Sequence, residues 1–324
     1  MNIMRCQEDT HGRHGVRTFT TSHSVFLNKR ENFSKFSKSG LGKAEKYNDM
    51  KFTKVILSMA MMLLTAGAFA KTEKVWVQGS VGKLSVVVQT PDGLAEGQKC
   101  PVVIMMHGFM GNKDGMMEKM AADKLAAAGI ASVKFDFNGH GESEGPFSGM
   151  TVPNEIEDAK KVYEYVKSLP FAGDIALTGH SQGGVVASMT AGDYGAEMVK
   201  CVVLLAPAAV LRDDAIRGST MGARYNPLDP PELIPLFGDK KLGGEYIRTA
   251  FNLPIYETAK KYTGPACIIH GTGDQVVPFT YGERYHEIWP GSELHILPAA
   301  DHGFSRDMQK AVDLMVDFLV QTLK

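Results

Sequence analysis

Apolar and polar positions follow different patterns between residues 75 and 129, and each pattern predicts a different element. Residues 75–89 (VWVQGSVGKLSVVVQ) alternate around a Gly-containing turn and predict an antiparallel hairpin. Residues 101–106 (PVVIMM) are continuously apolar, which indicates a strand buried on both faces of a parallel sheet. Residues 114–128 show a helical period, and Gly129 predicts where that helix ends.

Strand-like and helix-like segments alternate over most of the remaining chain. Because such alternation places helices on both faces of a mostly parallel sheet, it predicts an α/β fold with the hairpin as an antiparallel extension of one edge. The further predicted segments are strand 130–137, helix 154–168, strand 174–178, helix 183–194, strand 201–205, strand 266–270, helix 281–288, strand 293–297 and helix 308–323.

One long stretch interrupts this alternation after the sixth predicted strand. Residues 208–264 are rich in Pro, Gly and Tyr and show no sheet pattern. A segment of this length within a compact domain usually carries function or forms an inserted subdomain. We therefore predict a cap subdomain at 208–264, and a packing insert without a ligand role is the alternative.

Composition and charge limit the classes of partner. The 324 residues are 44% hydrophobic with a formal net charge of -1. The chain is therefore too apolar for disorder and lacks the basic excess that nucleic acid or an anionic membrane would attract. The cysteines after residue 70 are odd in number, so they predict core thiols, with one disulfide as the alternative. They are Cys100, Cys201 and Cys267.

The N-terminal part of the sequence differs from the rest. Residues 50–70 (MKFTKVILSMAMMLLTAGAFA) combine a basic start, a short apolar run and an A-x-A pattern, which predicts a signal peptide. An N-terminal membrane anchor is the alternative, although the run is short for a stable span. We expect residues 1–49 to be an over-extended reading frame or a disordered segment, with Met50 as the true start. Residues 71–324 would then be an exported domain, periplasmic or secreted.

A G-x-S-x-G pattern follows the strand predicted at 174–178 and precedes a predicted helix. It reads Gly179-His180-Ser181-Gln182-Gly183, in the strand–turn–helix context of a nucleophile elbow. The glycines would let strand and helix approach, while a strained backbone lifts the Ser181 hydroxyl clear of the sheet. The alternative is a Gly-rich turn with an incidental serine, because the pattern alone is common.

Two further residues supply what a serine nucleophile needs. A serine hydroxyl requires a base, and the base requires a carboxylate that orients it. Asp274 follows the strand predicted at 266–270, and His302 follows the last predicted strand. Both should lie at the same sheet edge as Ser181, in the chain order expected for this architecture. Each could separately be a turn or surface residue, but together they predict a Ser–His–Asp triad.

Two backbone amides are predicted to complete the site. The N–H groups of Gln182, next to the nucleophile, and of Phe109, in the loop after 101–106, would form the oxyanion hole. A simple strand-ending turn is the alternative for that loop. We predict no metal and no cofactor, since the four histidines that lie in motif loops beside glycines lack the spacing of a zinc site. They are His107, His140, His180 and His270.

Other candidate residues have structural interpretations. Ser143 follows no strand-to-helix elbow and is predicted to be a polar loop residue. A group of methionines is predicted to fill the core. They are Met105, Met106, Met116, Met117 and Met120.

Several segments together resemble the bacterial cinnamoyl (feruloyl) esterases of the α/β-hydrolase fold. They are HGFMGNKD, GHSQGGVVAS, LGGEYIR, LPIYE, IHGTGDQVVP and ADHGF, and the resemblance extends from about residue 102 to the C-terminus. It implies hydrolysis of esters between hydroxycinnamic acids and sugars or small alcohols, with a cap that binds the aromatic acid. By motif, Asp214 and Tyr246 match cap positions that hydrogen-bond the ring hydroxyl. Met221 stands where relatives carry Gln.

These observations lead to one functional hypothesis and its alternatives. We expect an exported serine carboxylesterase that acts on small-molecule esters, namely plant-derived hydroxycinnamate conjugates, without a cofactor. The alternatives are a general short-acyl esterase or peptidase-like hydrolase, and a non-catalytic member that only binds aromatic ligands. A second copy of the chain, forming a homodimer, is included among the expected partners.

Overall fold

The computed structural model describes residues 71–324, and the predicted segments 1–49 and 50–70 lie outside the described residues. Its strands are β1 (Thr72–Gln78), β2 (Lys83–Gln89), β3 (Cys100–Met106), β4 (Ala131–Phe135), β5 (Ala172–His180), β6 (Val202–Leu205), β7 (Ser219–Thr220), β8 (Ala223–Arg224), β9 (Leu233–Pro235), β10 (Lys241–Gly243), β11 (Ala266–Gly271) and β12 (Glu293–Leu297). Its helices are α1 (Met116–Ala127), α2 (Val152–Ser168), α3 (Gln182–Tyr194), α4 (Val210–Arg217), α5 (Gly244–Phe251), α6 (Ile255–Ala259), α7 (Thr280–Ile288) and α8 (Met308–Leu323).

An eight-stranded sheet forms the centre of the fold, in the order β1-β2-β4-β3-β5-β6-β11-β12. The pairs from β4 to β12 are all parallel, while β2 is antiparallel to both β1 and β4. The predicted mostly parallel sheet with a hairpin at one edge is therefore confirmed. Parallel order places the carboxyl ends of β3, β5, β11 and β12 at one edge of the sheet.

The sheet is buried on both faces, which explains the unbroken apolar run in β3. Val102, Ile104 and Met106 belong to one core cluster, together with residues of α2, α3, α6 and α7. Val103 and Met105 point to the other face and pack with residues of α1 and α8. A strand between two layers of helices needs apolar side chains at every position, whereas a half-exposed strand alternates.

The prediction that the methionines fill the core is correct for some of them and wrong for Met116. Met105 and Met106 are almost fully buried in the sheet. Met116, the first residue of α1, is 69% exposed, because the start of that helix projects its side chain into solvent. The cysteines Cys100, Cys201 and Cys267 are free and buried, as the prediction of core thiols requires.

Residues 208–264 form a separate set of small elements between β6 and β11. They contain α4 to α6 and two short antiparallel pairs, β7 with β8 and β9 with β10. Tyr246 and Ile247 of α5 are buried in the larger core cluster, so this segment packs on the sheet domain. Its role as a cap stays a prediction. Within residues 71–324, no helix has the length and apolar character that crossing a membrane requires.

Candidate active site

The turn between β5 and α3 has the strained geometry predicted for a nucleophile elbow. Ser181 has φ 55° and ψ -120°, a left-handed conformation that non-glycine residues rarely adopt. A Cβ atom at Gly183 would collide with the carbonyl oxygens of Met106 and His107, and one at Gly179 would collide with the Gly183 carbonyl. Only glycine therefore allows β5, α3 and the end of β3 to meet this closely.

The structure brings the three residues of the predicted triad into one hydrogen-bonded chain. Ser181 Oγ lies 2.9 Å from His302 Nε2, and His302 Nδ1 lies 2.7 Å from Asp274 Oδ2. Because the carboxylate accepts the Nδ1 proton, Nε2 of a neutral imidazole is left to accept the proton of the serine. Ser181 and Asp274 are buried, and His302 is half-buried.

Asp274 is held as a carboxylate by donors on both of its oxygens. Its Oδ1 accepts from the backbone N–H groups of Val276 and Val277, each at 2.8 Å. Burial raises the pKa of Asp274, but the hydrogen bonds from His270, His302 and Val277 outweigh burial and hold that pKa well below its usual range. The carboxylate is therefore ionised wherever the triad would operate.

His270 has a positioning role that the sequence did not reveal. This fully buried ring directs Nε2 to the Val277 carbonyl at 3.0 Å and to Asp274 Oδ2 at 3.3 Å. It therefore joins the end of β11 to the loop that carries the carboxylate. The sequence predicts structural hydrogen bonding for His270 but not its partner, and the spacing of four residues between His270 and Asp274 is the signal that could have identified it.

His180 fixes the other side of the base. Its Nε2 lies 2.8 Å from the backbone carbonyl of His302. Burial lowers the pKa of His180 to about 4, so the ring is neutral at physiological pH and donates through Nε2–H. The residue before the nucleophile thus holds the loop that carries the base.

The two amides predicted for the oxyanion hole are free to donate. Among residues 71–324, neither the Phe109 nor the Gln182 N–H has a protein acceptor. Gln182 is the first residue of α3, where backbone N–H groups have no intrahelical partner. The Gly108 carbonyl is engaged by His107 Nδ1 at 2.8 Å and by the Gly111 N–H at 2.9 Å, which fixes the loop around Phe109.

The loop that carries Phe109 is anchored at both of its ends. His107 Nε2 accepts from the Phe137 N–H at 3.2 Å, and burial lowers the pKa of this ring to about 3. At the other end, Lys113 donates to Asp136 Oδ1 through its backbone N–H at 2.7 Å and to Oδ2 through Nζ at 3.0 Å. Both Lys113 and Asp136 are buried, so this ion pair fixes the loop onto the end of β4.

Replacing Lys113 by Met should lower the free energy of unfolding by about 3 kcal/mol, because a buried carboxylate loses its cation. This loss of stability lies at the low end of the range for buried ion pairs that lose one partner. The reason is that Asp136 keeps hydrogen bonds from the backbone N–H groups of Lys113 and Glu142. Urea denaturation measures the change. The control is Lys119→Met, at an exposed position of α1. Equal denaturation midpoints for the two variants would contradict the anchoring role.

A cavity of about 350 Å³ opens beside Ser181, and we call it the cap cavity. It contacts Phe109 and Gln182, the residues predicted to form the oxyanion hole, on one side and residues of the 208–264 segment on the other. The Phe109 and Tyr246 rings form an aromatic wall, with ring centroids 6.0 Å apart. The residues from 208–264 that line it include Ala208, Leu211, Asp214, Thr220, Met221 and Tyr246.

The polar groups predicted to contact a substrate ring are both partly engaged by the protein. Tyr246 donates its hydroxyl proton to Gln182 Oε1 at 2.7 Å, and Gln182 Nε2 donates to Glu155 at 2.8 Å. Burial raises the pKa of Glu155 well above its usual range. Asp214 accepts from Arg217 and lines the cap cavity. Tyr246 and Asp214 can therefore offer acceptor oxygens to a ligand. Glu155, which holds the side chain of Gln182, was not predicted from the sequence.

Within residues 71–324, one group of three side chains that could bind a metal lies close together, away from the triad. Cys267, Glu293 and His295 place one ligand atom each within 4.8 Å of the others. Burial raises the pKa of the Cys267 thiol, which opposes the thiolate form that a metal needs. Cys267 pairs with Glu293 at the beginning of β11 and β12, the sheet edge opposite Asp274.

Comparison with known proteins supports the fold and the class of site. A family model described as serine aminopeptidase, S33, matches residues 97–225. Human serine hydrolase BPHL is 26% identical over 223 residues, or 64% of this chain and 74% of that protein. The non-heme chloroperoxidase CPO-A1 of Kitasatospora aureofaciens is 25% identical over 263 residues, covering 69% of this chain and 93% of that protein.

A solved structure of Est1E from Butyrivibrio proteoclasticus, with ferulic acid bound, has a TM-score of 0.73 with this chain. It is 27% identical and covers 76% of this chain and 98% of its own. The strand order, the elbow and these likenesses define the α/β-hydrolase fold that the sequence predicted. Within that fold the chain is a serine hydrolase.

Proposed function

We propose that this serine hydrolase cleaves hydroxycinnamate esters through an acyl-enzyme. Ser181, activated by His302 at 2.9 Å, attacks the ester carbonyl. The imidazole passes the proton to the leaving alcohol while Asp274 holds its tautomer, and the free Phe109 and Gln182 amides bind the oxyanion. Water, activated by the same imidazole, then releases the acid.

The cap cavity is the observation that carries this proposal. At about 350 Å³ it lies near the small end of ligand pockets, which span about 300–1,000 Å³, so a short flat acid suits it better than a peptide. Its aromatic wall fits a cinnamoyl ring. The acceptor oxygens of Asp214 and Tyr246 match a ligand that donates a proton, as a phenolic hydroxyl does. The likeness to Est1E, whose structure holds ferulic acid, supports the same choice.

The setting of the activity is also a proposal. We propose that the protein acts outside the cytoplasm, in the periplasm or after secretion, on the basis of the signal-peptide pattern at residues 50–70. The esters that the protein encounters there would then be plant-derived conjugates.

Comparing acyl groups tests the proposal. We expect kcat/KM for methyl ferulate to exceed that for the methyl ester of 3,4-dimethoxycinnamic acid by about tenfold, because the second ester lacks the phenolic donor for a charged acceptor. Asp214→Asn should remove most of this preference. The control, Asp213→Asn, alters a neighbouring carboxylate that accepts from Tyr281 and does not line the cap cavity.

A short-chain nitrophenyl ester measured in parallel separates the alternative. If it exceeded methyl ferulate by a large margin in kcat/KM, the chain would be a general short-acyl esterase. A protein inert to every ester would instead favour the non-catalytic, ligand-binding alternative.

A further inference from the structure

A second cavity, of about 380 Å³, meets the cap cavity at Ser181, Phe109, Met221 and Val276, which line both cavities. We call it the methionine cleft, because five methionines from four separate parts of the chain line it. They are Met110, Met116, Met117, Met221 and Met308. Apart from Met221, which also lines the cap cavity, the function proposed above uses none of these side chains, so the cleft requires its own explanation.

The position of His302 decides which half of an ester enters which cavity. His302 must give its proton to the leaving oxygen, so that oxygen lies on the His302 side of the tetrahedral intermediate. His302 lines the methionine cleft but does not line the cap cavity. With the oxyanion at the Phe109 and Gln182 amides, the acyl group then points into the cap cavity and the alcohol into the methionine cleft.

Three apolar side chains that line the cleft are exposed to solvent. Met116 is 69% exposed, Val276 45% and Met221 40%. Single exposed apolar residues are common on proteins, but several around one cleft beside a nucleophile mark a binding surface. Methionine is unbranched and polarisable, so it adapts its shape to varied apolar groups.

The polar groups of the cleft do not suit a sugar or an anion. Among the described residues that line it, none is Lys or Arg, so an anionic alcohol would find no cation. The rings of His107 and His180 already bond to backbone groups. The remaining polar side chains away from the triad are Asn112 and Glu118, and burial raises the pKa of Glu118. Several sugar hydroxyls would therefore lose their water without enough partners.

We propose that the methionine cleft binds the leaving alcohol of the substrate and that this alcohol is apolar, an alkyl or aryl alcohol rather than a sugar. The inference rests on the proposed ester hydrolysis at Ser181. It specifies the alcohol part of the substrate more closely than the family resemblance does, which implies a sugar or a small alcohol.

Esters of one acid with different alcohols test the proposal. For methyl, butyl and octyl ferulate, kcat/KM should rise by up to about fourfold for each methylene that becomes buried, whereas glycerol monoferulate should not exceed methyl ferulate. The ratio kcat/KM is the relevant quantity, because it includes the acylation step in which the alcohol is still attached. A flat series, or a glycerol ester above the butyl ester, would overturn the proposal.

Variants assign the effect to the cleft. The double variant Met116→Gln with Met308→Gln makes two lining side chains polar at nearly constant length, and it should flatten the alkyl series, measured as the ratio of kcat/KM for octyl ferulate to kcat/KM for methyl ferulate. Met198→Gln is the control, because Met198 is a half-buried methionine that does not line the cleft. A slope that survives in the double variant would place the alkyl chain elsewhere and would reject the cleft.

Acetate esters of the same alcohols test the assignment of the alcohol to the methionine cleft independently of the proposed acid. If the acetates show the alkyl rise and ferulates are not hydrolysed, the cleft assignment stands and the hydroxycinnamate proposal fails. If methyl ferulate is a good substrate and both series are flat, the proposed acid stands and the cleft assignment fails.

Discussion

Replacing Ser181 by Ala should lower kcat on methyl ferulate by a factor on the order of 10⁶, the loss that follows removal of the nucleophile from a serine hydrolase triad. The Ser181 hydroxyl lies 2.9 Å from His302 Nε2 and lines both the cap cavity and the methionine cleft. The variant should also stop reacting with a fluorophosphonate probe. Alanine adds no atoms to the elbow, so circular dichroism and thermal unfolding should show a folded protein.

Ser143→Ala is the matched control for that experiment. The Ser143 hydroxyl donates to the Asp136 carbonyl at 2.6 Å and accepts from the Ser85 N–H at 2.8 Å, so it holds a loop. Its loss should reduce stability by about 1 kcal/mol and leave turnover close to that of the unaltered protein. Turnover of methyl ferulate that survives in Ser181→Ala would remove Ser181 from the mechanism.

The sequence predicts best those parts of the fold in which each residue has an unambiguous environment. β12 and α8 have the predicted bounds, 293–297 and 308–323. β5 (Ala172–His180) is longer at both ends than the predicted 174–178. At its C-terminal end, Gly179 pairs with β3 and β6 and His180 pairs with β6, although neither residue belongs to an apolar pattern. The pairing is made by the backbone and therefore leaves no trace in the side chains.

The start of a helix is also predicted imprecisely. α2 begins at Val152, two residues before the predicted 154, because the Thr151 hydroxyl accepts from the Asn154 N–H and a proline follows in the first turn. A threonine cap followed by proline can be recognised in a sequence, but a prediction from the period of apolar residues alone does not include it. The strands β7 to β10 are too short to show any period.

The candidate site divides in a similar way. Ser181, Asp274 and His302 can be found from the sequence because each follows a strand at a position that the chemistry requires. The contacts around the predicted oxyanion residues, such as that of Gln182 with Glu155 and that of Lys113 with Asp136, form only between distant parts of the chain. No local pattern encodes such contacts, so only the folded structure reveals them.

Replacing Asp274 by Asn should lower kcat by about 10⁴-fold while leaving the protein folded. The two backbone N–H groups at 2.8 Å from Oδ1 would keep the amide oxygen of Asn in that position. The amide NH₂ would then replace Oδ2 and face the N–H groups of His302 and His270. His302 would adopt the other tautomer, with its proton on Nε2, and could no longer accept the proton of Ser181.

The pH dependence of stability gives this variant a second, independent readout. The pKa of Asp274 is depressed in the folded protein, so the carboxylate contributes stability above its unfolded pKa of about 3.9 and loses it as the pH falls towards the folded value. The difference in unfolding free energy between the unaltered protein and Asp274→Asn should therefore be constant above about pH 5 and shrink below about pH 4. Asp301→Asn, which alters an exposed carboxylate beside His302, should keep its turnover. Retention of a tenth or more of kcat by Asp274→Asn would mean that His302 is oriented by another group, and His270 would be the first to examine.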